Sequence, residues 1–195
     1  LMIRTFCLVS HNNLFTMASS RLGGDILATN AILFQIMSIF SYAFDGIANT
    51  ASVFSGRARG RKNNTLMKNC WKQTFFWGII ATILITIVFV LFNRTIIEIF
   101  TKLPNILILT QKYSIWLVLY PSIAFLGLTF YGVFTGAAKT VPIMTSTVLA
   151  FISFFIAWKF LIPIYGNNGV WLSLLVFYLG RGIFLIPQLK KTLTN

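Results

Sequence analysis

Six apolar stretches, separated by short polar or basic breaks, dominate the pattern of this chain. A helix needs about 20 apolar residues to cross the hydrocarbon core of a bilayer. The pattern therefore predicts an all-α integral membrane protein with six transmembrane helices. The predicted spans lie at about 1–20, 26–56, 74–93, 111–136, 142–163 and 169–188.

A stripe of polar residues runs along the second span, in which Asp45 is the only charge. A carboxylate inside a membrane costs about 2.5 to 3.5 kcal/mol on insertion scales, so this face is expected to avoid lipid. Two interpretations stay open: a polar seam that holds helices together, and a pathway for a solute or an ion. Residues of the stripe are spaced alternately three and four positions apart, so they share one face of the helix. They are Gln35, Ser38, Tyr42, Asp45, Asn49, Ser52 and Gly56.

Two other spans carry polar residues that could meet this face. Asn12 lies at the centre of a polar run in the first span, and Arg181 lies within the last span. From the basic ends of their helices, Asp45 is about 18 Å deep and Arg181 about 13 Å deep. We therefore expect Asp45 and Arg181 to form a buried ion pair. The pair is either a static structural bridge or the environment of an acid that exchanges protons or binds a cation.

The balance of charge fits a membrane protein better than a nucleic-acid-binding one. The chain is 57% hydrophobic and 10% charged, with a formal charge of +13. Its basic residues cluster between the apolar spans, ten on one side and five on the other. The positive-inside rule then predicts a multi-pass protein of the cell membrane, surrounded by the lipid bilayer, with both termini of this region in the cytoplasm.

Residue types that carry enzyme chemistry are scarce. The chain has one histidine, His11, two distant cysteines and three acids, and none of them stands at metal-ligand or catalytic spacing. No glycine loop for phosphate and no nucleophile elbow is present. The sequence predicts no enzyme, no bound metal and no organic cofactor.

Several motifs, in the same order and at similar loop lengths, resemble the multidrug and toxic compound extrusion (MATE) transporters, and their DinF-like branch in particular. The resemblance covers essentially all 195 residues. It is carried by Phe44-Asp45-Gly46-Ile47-Ala48-Asn49-Thr50-Ala51 with Gly56-x-x-x-Gly60, by Arg21-Leu22-Gly23 with Asp25-Ile26-Leu27-Ala28, by Gly132-x-x-x-Gly136-Ala137, and by Arg181-Gly182.

This resemblance implies a fold of twelve helices in two lobes, of which residues 1–195 would be the C-terminal six-helix lobe. The N-terminal lobe would be its partner. The implied activity is export of small organic, often cationic, compounds against an inward flow of protons or sodium ions, by rocking of the lobes. Many relatives have an acid at the position of Tyr131, so Tyr131 joins the candidate pathway residues, and Asp45 is the only deep acid in this lobe.

Two alternatives differ in what the polar faces do. A flippase of the same superfamily would move lipid-linked oligosaccharides and use arginines such as Arg4 and Arg181 to hold pyrophosphate. A membrane scaffold without transport activity would use the polar seams only to bind partners.

Overall fold

The computed structural model describes residues 2–188, and these residues form seven helices and no strand. Leu1 and residues 189–195, including the predicted cytoplasmic residues Lys190 and Lys191, lie outside the described part. The helices are α1 (Met2–Arg21), α2 (Gly24–Gly60), α3 (Asn64–Phe100), α4 (Pro104–Tyr113), α5 (Ile115–Gly136), α6 (Thr140–Tyr165) and α7 (Asn167–Ile183).

The helix boundaries follow from local sequence signals. Gly23, with φ of 114°, and Gly166, with φ of 54°, adopt conformations that favour glycine and connect α1 to α2 and α6 to α7. The side chain of Asn63 caps α3 by accepting a hydrogen bond from the amide of Leu66 at 2.9 Å. Pro104 stands in the first turn of α4, where its missing amide hydrogen costs nothing.

Five regions of the described chain are long and apolar enough to cross a membrane, and they contain α2, α3, α5, α6 and α7. The first predicted span, 1–20, corresponds to α1, whose centre carries His11-Asn12-Asn13 and is too polar to belong to this group. Its crossing of the membrane stays a prediction. The predicted span 111–136 covers the end of α4 and all of α5.

Close helix approaches position the core. The glycine pattern of α5 contacts the backbone of α2, so that a methyl group added at Gly132 would overlap Ala48 and one added at Gly136 would overlap Ser52. Small residues at this spacing let neighbouring helices approach closely. Around it, the core of α2, α5 and α7 buries Trp171, Tyr120 and other large apolar side chains.

Helix α3 lies at the outside of the bundle. It continues past a kink at Phe92 to Phe100, and only a small part of its apolar surface is buried inside the lobe. Its exposed side chains include Trp77, Leu84 and Leu91. An apolar surface of this extent is stable only against lipid or another protein segment.

Candidate functional site

The polar stripe of α2 lies apart from the face that packs in the core. The packed face carries Leu33, Phe44 and Ala48, which are buried. In the stripe, Gln35, Tyr42 and Asn49 are exposed, whereas Ser38, Asp45, Ser52 and Gly56 are half-buried. The stripe therefore borders the packed core and leaves polar groups on the surface of the lobe.

Asp45 lies within electrostatic range of two arginines from other helices, and we call Arg4, Asp45 and Arg181 the charged cleft. Electrostatic interactions connect Asp45 with Arg181 of α7 and with Arg4 of α1. The guanidinium of Arg4 lies over the ring of Tyr131, 4.7 Å from its centroid. The charged cleft thus brings together residues of α1, α2 and α7, and Arg4 connects it to the candidate residue Tyr131 of α5.

The expected direct ion pair between Asp45 and Arg181 is not formed. The one ion pair closer than 4.0 Å among residues 2–188 joins Arg94 to Glu98 on the surface. The Arg181 side chain is 6% exposed, and its guanidinium lies 5.9 Å from the ring of Phe177 and 6.0 Å from that of Tyr178. The Arg181 guanidinium therefore lies near aromatic rings, which attract cations, and not in the predicted ion pair with the Asp45 carboxylate.

The Asp45 carboxylate keeps both oxygen atoms available. Within the described chain, no hydrogen bond or ion pair reaches it. A carboxylate in a permanent bridge would be a poor carrier, because its partner would hold it in the ionised form. The separation from Arg181 leaves the Asp45 carboxylate without a direct ionic partner while two arginines remain nearby.

A polar contact between core helices borders the cleft, and sequence reasoning missed it. The hydroxyl groups of Ser41 in α2 and Tyr120 in α5 share a hydrogen bond of 2.7 Å. The ring of Tyr120 meets that of Tyr178 edge to face, with centroids 4.9 Å apart. These contacts fix α2, α5 and α7 next to the charged cleft.

The first helix places His11 in the interior of the lobe and leaves the candidate residue Asn12 on its surface. Asn12 is exposed and is not among the residues that interact with Asp45 or Arg181 in the described part. His11 is 1% exposed, and its ring stacks on Phe177 with centroids 4.2 Å apart. Its Nδ1 lies 3.0 Å from the carbonyl oxygen of Leu8, to which it donates. The one sequence signal that distinguished His11 from its polar neighbours is its spacing of three to four positions along a line with Cys7 and Arg4, which places the three residues on the same helical face.

A buried amide cluster joins α1, α2 and α7 outside the charged cleft. The Asn30 amide nitrogen donates to Ser19 at 2.8 Å and to Asn167 at 2.6 Å. Its oxygen accepts from Asn167 at 3.2 Å and from the indole of Trp171 at 2.9 Å. All four hydrogen-bonding positions of the Asn30 amide are occupied, which makes this cluster a structural element and not a binding site.

Comparisons with known proteins identify the family and the fold of the chain. The sequence model of the MatE family matches residues 1–161. The chain is 30% identical, over 195 residues, to the DNA damage-inducible protein F of Escherichia coli (strain K12), covering 100% of this chain and 42% of that protein. A structure described as "Crystal structure of MATE in the bent conformation" superposes with a TM-score of 0.79 at 17% identity, covering 94% of this chain and 42% of that one. The chain therefore spans about two fifths of the length of these relatives.

Proposed function

The chain belongs to the MatE family of membrane transporters, and on that premise we propose that it is the C-terminal lobe of a secondary active efflux transporter. The proposed partner is an N-terminal lobe of similar size, which is supported by the 42% of each relative that the chain covers. The proposed substrates are small organic compounds, often cationic. Rocking of the two lobes would expose the substrate pathway to each side of the membrane in turn.

The charged cleft carries the proposal of ion coupling. Asp45 is the single acid within the apolar part of α2, and its carboxylate has no direct partner in the described chain. Ionisable groups inside membrane segments usually serve ion pathways or proton relays. We assign to Asp45 the reversible binding of a proton or a sodium ion, and to Arg181 and Arg4 the electrostatic release of that cation.

The experiment measures efflux of a cationic dye by vesicles that contain the full-length transporter, with an imposed proton or sodium gradient. Asp45→Asn removes the charge and keeps the shape, so we expect gradient-driven efflux to fall at least about tenfold, a change of about 1.4 kcal/mol or more in the transport barrier. The amount of folded protein should stay near that of the wild type, because no direct ion pair is broken.

Asp25→Asn is the matched control, because it removes the same charge from an exposed position at the start of the same helix. It should leave efflux unchanged. Unchanged efflux in Asp45→Asn would contradict the role of Asp45 and place the coupling acid outside this lobe.

A second candidate function, the flipping of lipid-linked oligosaccharides, is favoured by one observation. Arg4 and Arg181 place two cations against one acid, and the Nε atom of Arg4 is buried without a hydrogen-bond partner. Pyrophosphate binds well to paired guanidinium groups. Translocation of a fluorescent polyprenyl pyrophosphate oligosaccharide, with loss of activity in Arg181→Gln and no dye efflux, would support this function over drug export.

A further inference from the structure

A groove between α2 and α3 lies on the far side of α2 from the charged cleft. Its volume is about 600 Å³, which is in the range of ligand sites. The walls are mainly apolar, with Phe54 and Trp77 about half exposed at its surface. Helical register places Asp45 on the opposite side of α2 from Ile47, Thr50 and Phe54, which line the groove, so the groove is separate from the proposed transport pathway.

The length of the groove matches one leaflet of a bilayer. On α2 it extends from Ala43 to Phe54, which is 12 residues, or 11 steps along the helix and about 17 Å. Half of a hydrocarbon core of about 30 Å is about 15 Å. The groove runs toward the loop that connects α2 to α3, and with that loop at the membrane surface its other end reaches about the middle of the membrane.

This loop end carries positive charge on the same side of α2 as the groove. Arg57 and Arg61 continue the register of Ile47, Thr50 and Phe54 at steps of three and four. The guanidinium of Arg57 lies 5.8 Å from the centre of the Phe54 ring, which itself lines the groove. No acidic residue occurs between Phe54 and Trp77. The mouth thus offers cations without a competing carboxylate.

We propose that this groove binds an anionic phospholipid of the cytoplasmic leaflet. Its acyl chain lies between α2 and α3, and its phosphate is held by Arg57 and Arg61. Arginine binds phosphate through paired hydrogen bonds, and basic pockets between membrane helices on the cytoplasmic side are suited to acidic headgroups. A zwitterionic lipid would fill the same apolar groove but would gain much less from the arginines.

Two variants test the two halves of this site in the full-length transporter. Arg57→Gln with Arg61→Gln should weaken binding of dioleoyl phosphatidylglycerol about thirtyfold, a change of about 2 kcal/mol, and leave dioleoyl phosphatidylcholine nearly unaffected. Gly46→Leu should weaken the binding of both lipids. A Cβ atom at Gly46 meets no atom within 4 Å, so the larger side chain enters the groove without straining the fold.

The matched control is Lys68→Gln with Lys72→Gln. These two exposed lysines lie on the same stretch of α3, on the side away from the groove. Native mass spectrometry of the detergent-solubilised protein should show unchanged binding of both lipids. Equal loss in this control, equal affinity of the wild type for both lipids, or no effect of Gly46→Leu would each overturn the proposal.

A photo-crosslinking residue at Thr50 identifies what occupies the groove in native membranes. A phosphatidylglycerol adduct supports the proposal. An adduct with a peptide from the rest of the transporter would overturn it, because the groove would then be a contact between lobes. Neither result depends on transport, so a failure here leaves the proposed efflux function intact.

Discussion

Asn30 shows how a single side chain can join three helices where water is excluded. Its amide has four hydrogen bonds, to Ser19, twice to Asn167, and to Trp171. Asn30→Leu would leave the buried indole of Trp171 and the amide of Asn167 without these partners. Each unsatisfied group costs about 1 to 3 kcal/mol, and we expect the free energy of unfolding to fall by at least about that amount.

Reversible unfolding in detergent by a denaturant measures this change. Asn105→Leu is the control, because Asn105 is exposed on α4 and the substitution introduces the same side chain. An effect at Asn30 no larger than at Asn105 would mean that the amide cluster contributes little to stability.

Side-chain direction limited what the sequence could predict at the residue scale. The depths of Asp45 and Arg181 were estimated along their helix axes, but depth does not fix the rotation of each helix about its axis. The structure turns Arg181 toward Phe177 and Tyr178. Asn30 was invisible for a similar reason: its partners Asn167 and Trp171 are 137 and 141 positions away, and no periodicity connects them.

The contact between α2 and α5 is the element-scale feature that depends most on small residues. A Cβ atom at Gly132 would overlap the backbone of Ala48, and backbone cannot move aside as a side chain can. Overpacking of this kind typically costs about 1 to 3 kcal/mol. Gly132→Ala should therefore lower the melting temperature and separate α5 from α2, and differential scanning fluorimetry of the purified protein measures the shift.

Gly46→Ala is the matched comparison for Gly132→Ala. It adds the same methyl group within α2 at a position with open space around it, where alanine favours the helix by up to about 1 kcal/mol. It should leave the melting temperature unchanged or raise it. Equal destabilisation by the two substitutions would show that close helix approach is not what Gly132 provides.

Most of the helices could be predicted from the sequence, because the length of an apolar stretch and the spacing of glycines are local properties of the chain. Gly132 and Gly136 stand at a spacing that favours close helix approach, and the structure identifies α2 as the neighbour. The surroundings of residues at helix ends were harder to predict. Asn167 reads as an exposed loop residue between two glycines, yet it is 6% exposed and belongs to the amide cluster. Tertiary contacts, which the sequence pattern does not reveal, decide such positions.

At the scale of the whole molecule, orientation in the membrane is still a prediction that rests on the division of basic residues. The loop between α2 and α3 should lie in the cytoplasm, and the loop between α3 and α4 outside. Cys7→Ala with Cys70→Ala removes both native thiols, which are buried. Single cysteines are then introduced at Asn64 or Lys102, both of which are exposed.

A membrane-impermeant maleimide applied to intact cells should label the cysteine at position 102 and not that at position 64, and lysis should make both reactive. The reason is physical: the segment from Arg57 to Lys72 carries six of the basic residues, and moving so many charges across the membrane is opposed far more strongly than moving Arg94, Lys102 and Lys112. Labelling of position 64 from outside, with position 102 protected, would reverse the orientation. It would also place the mouth of the lipid groove in the outer leaflet.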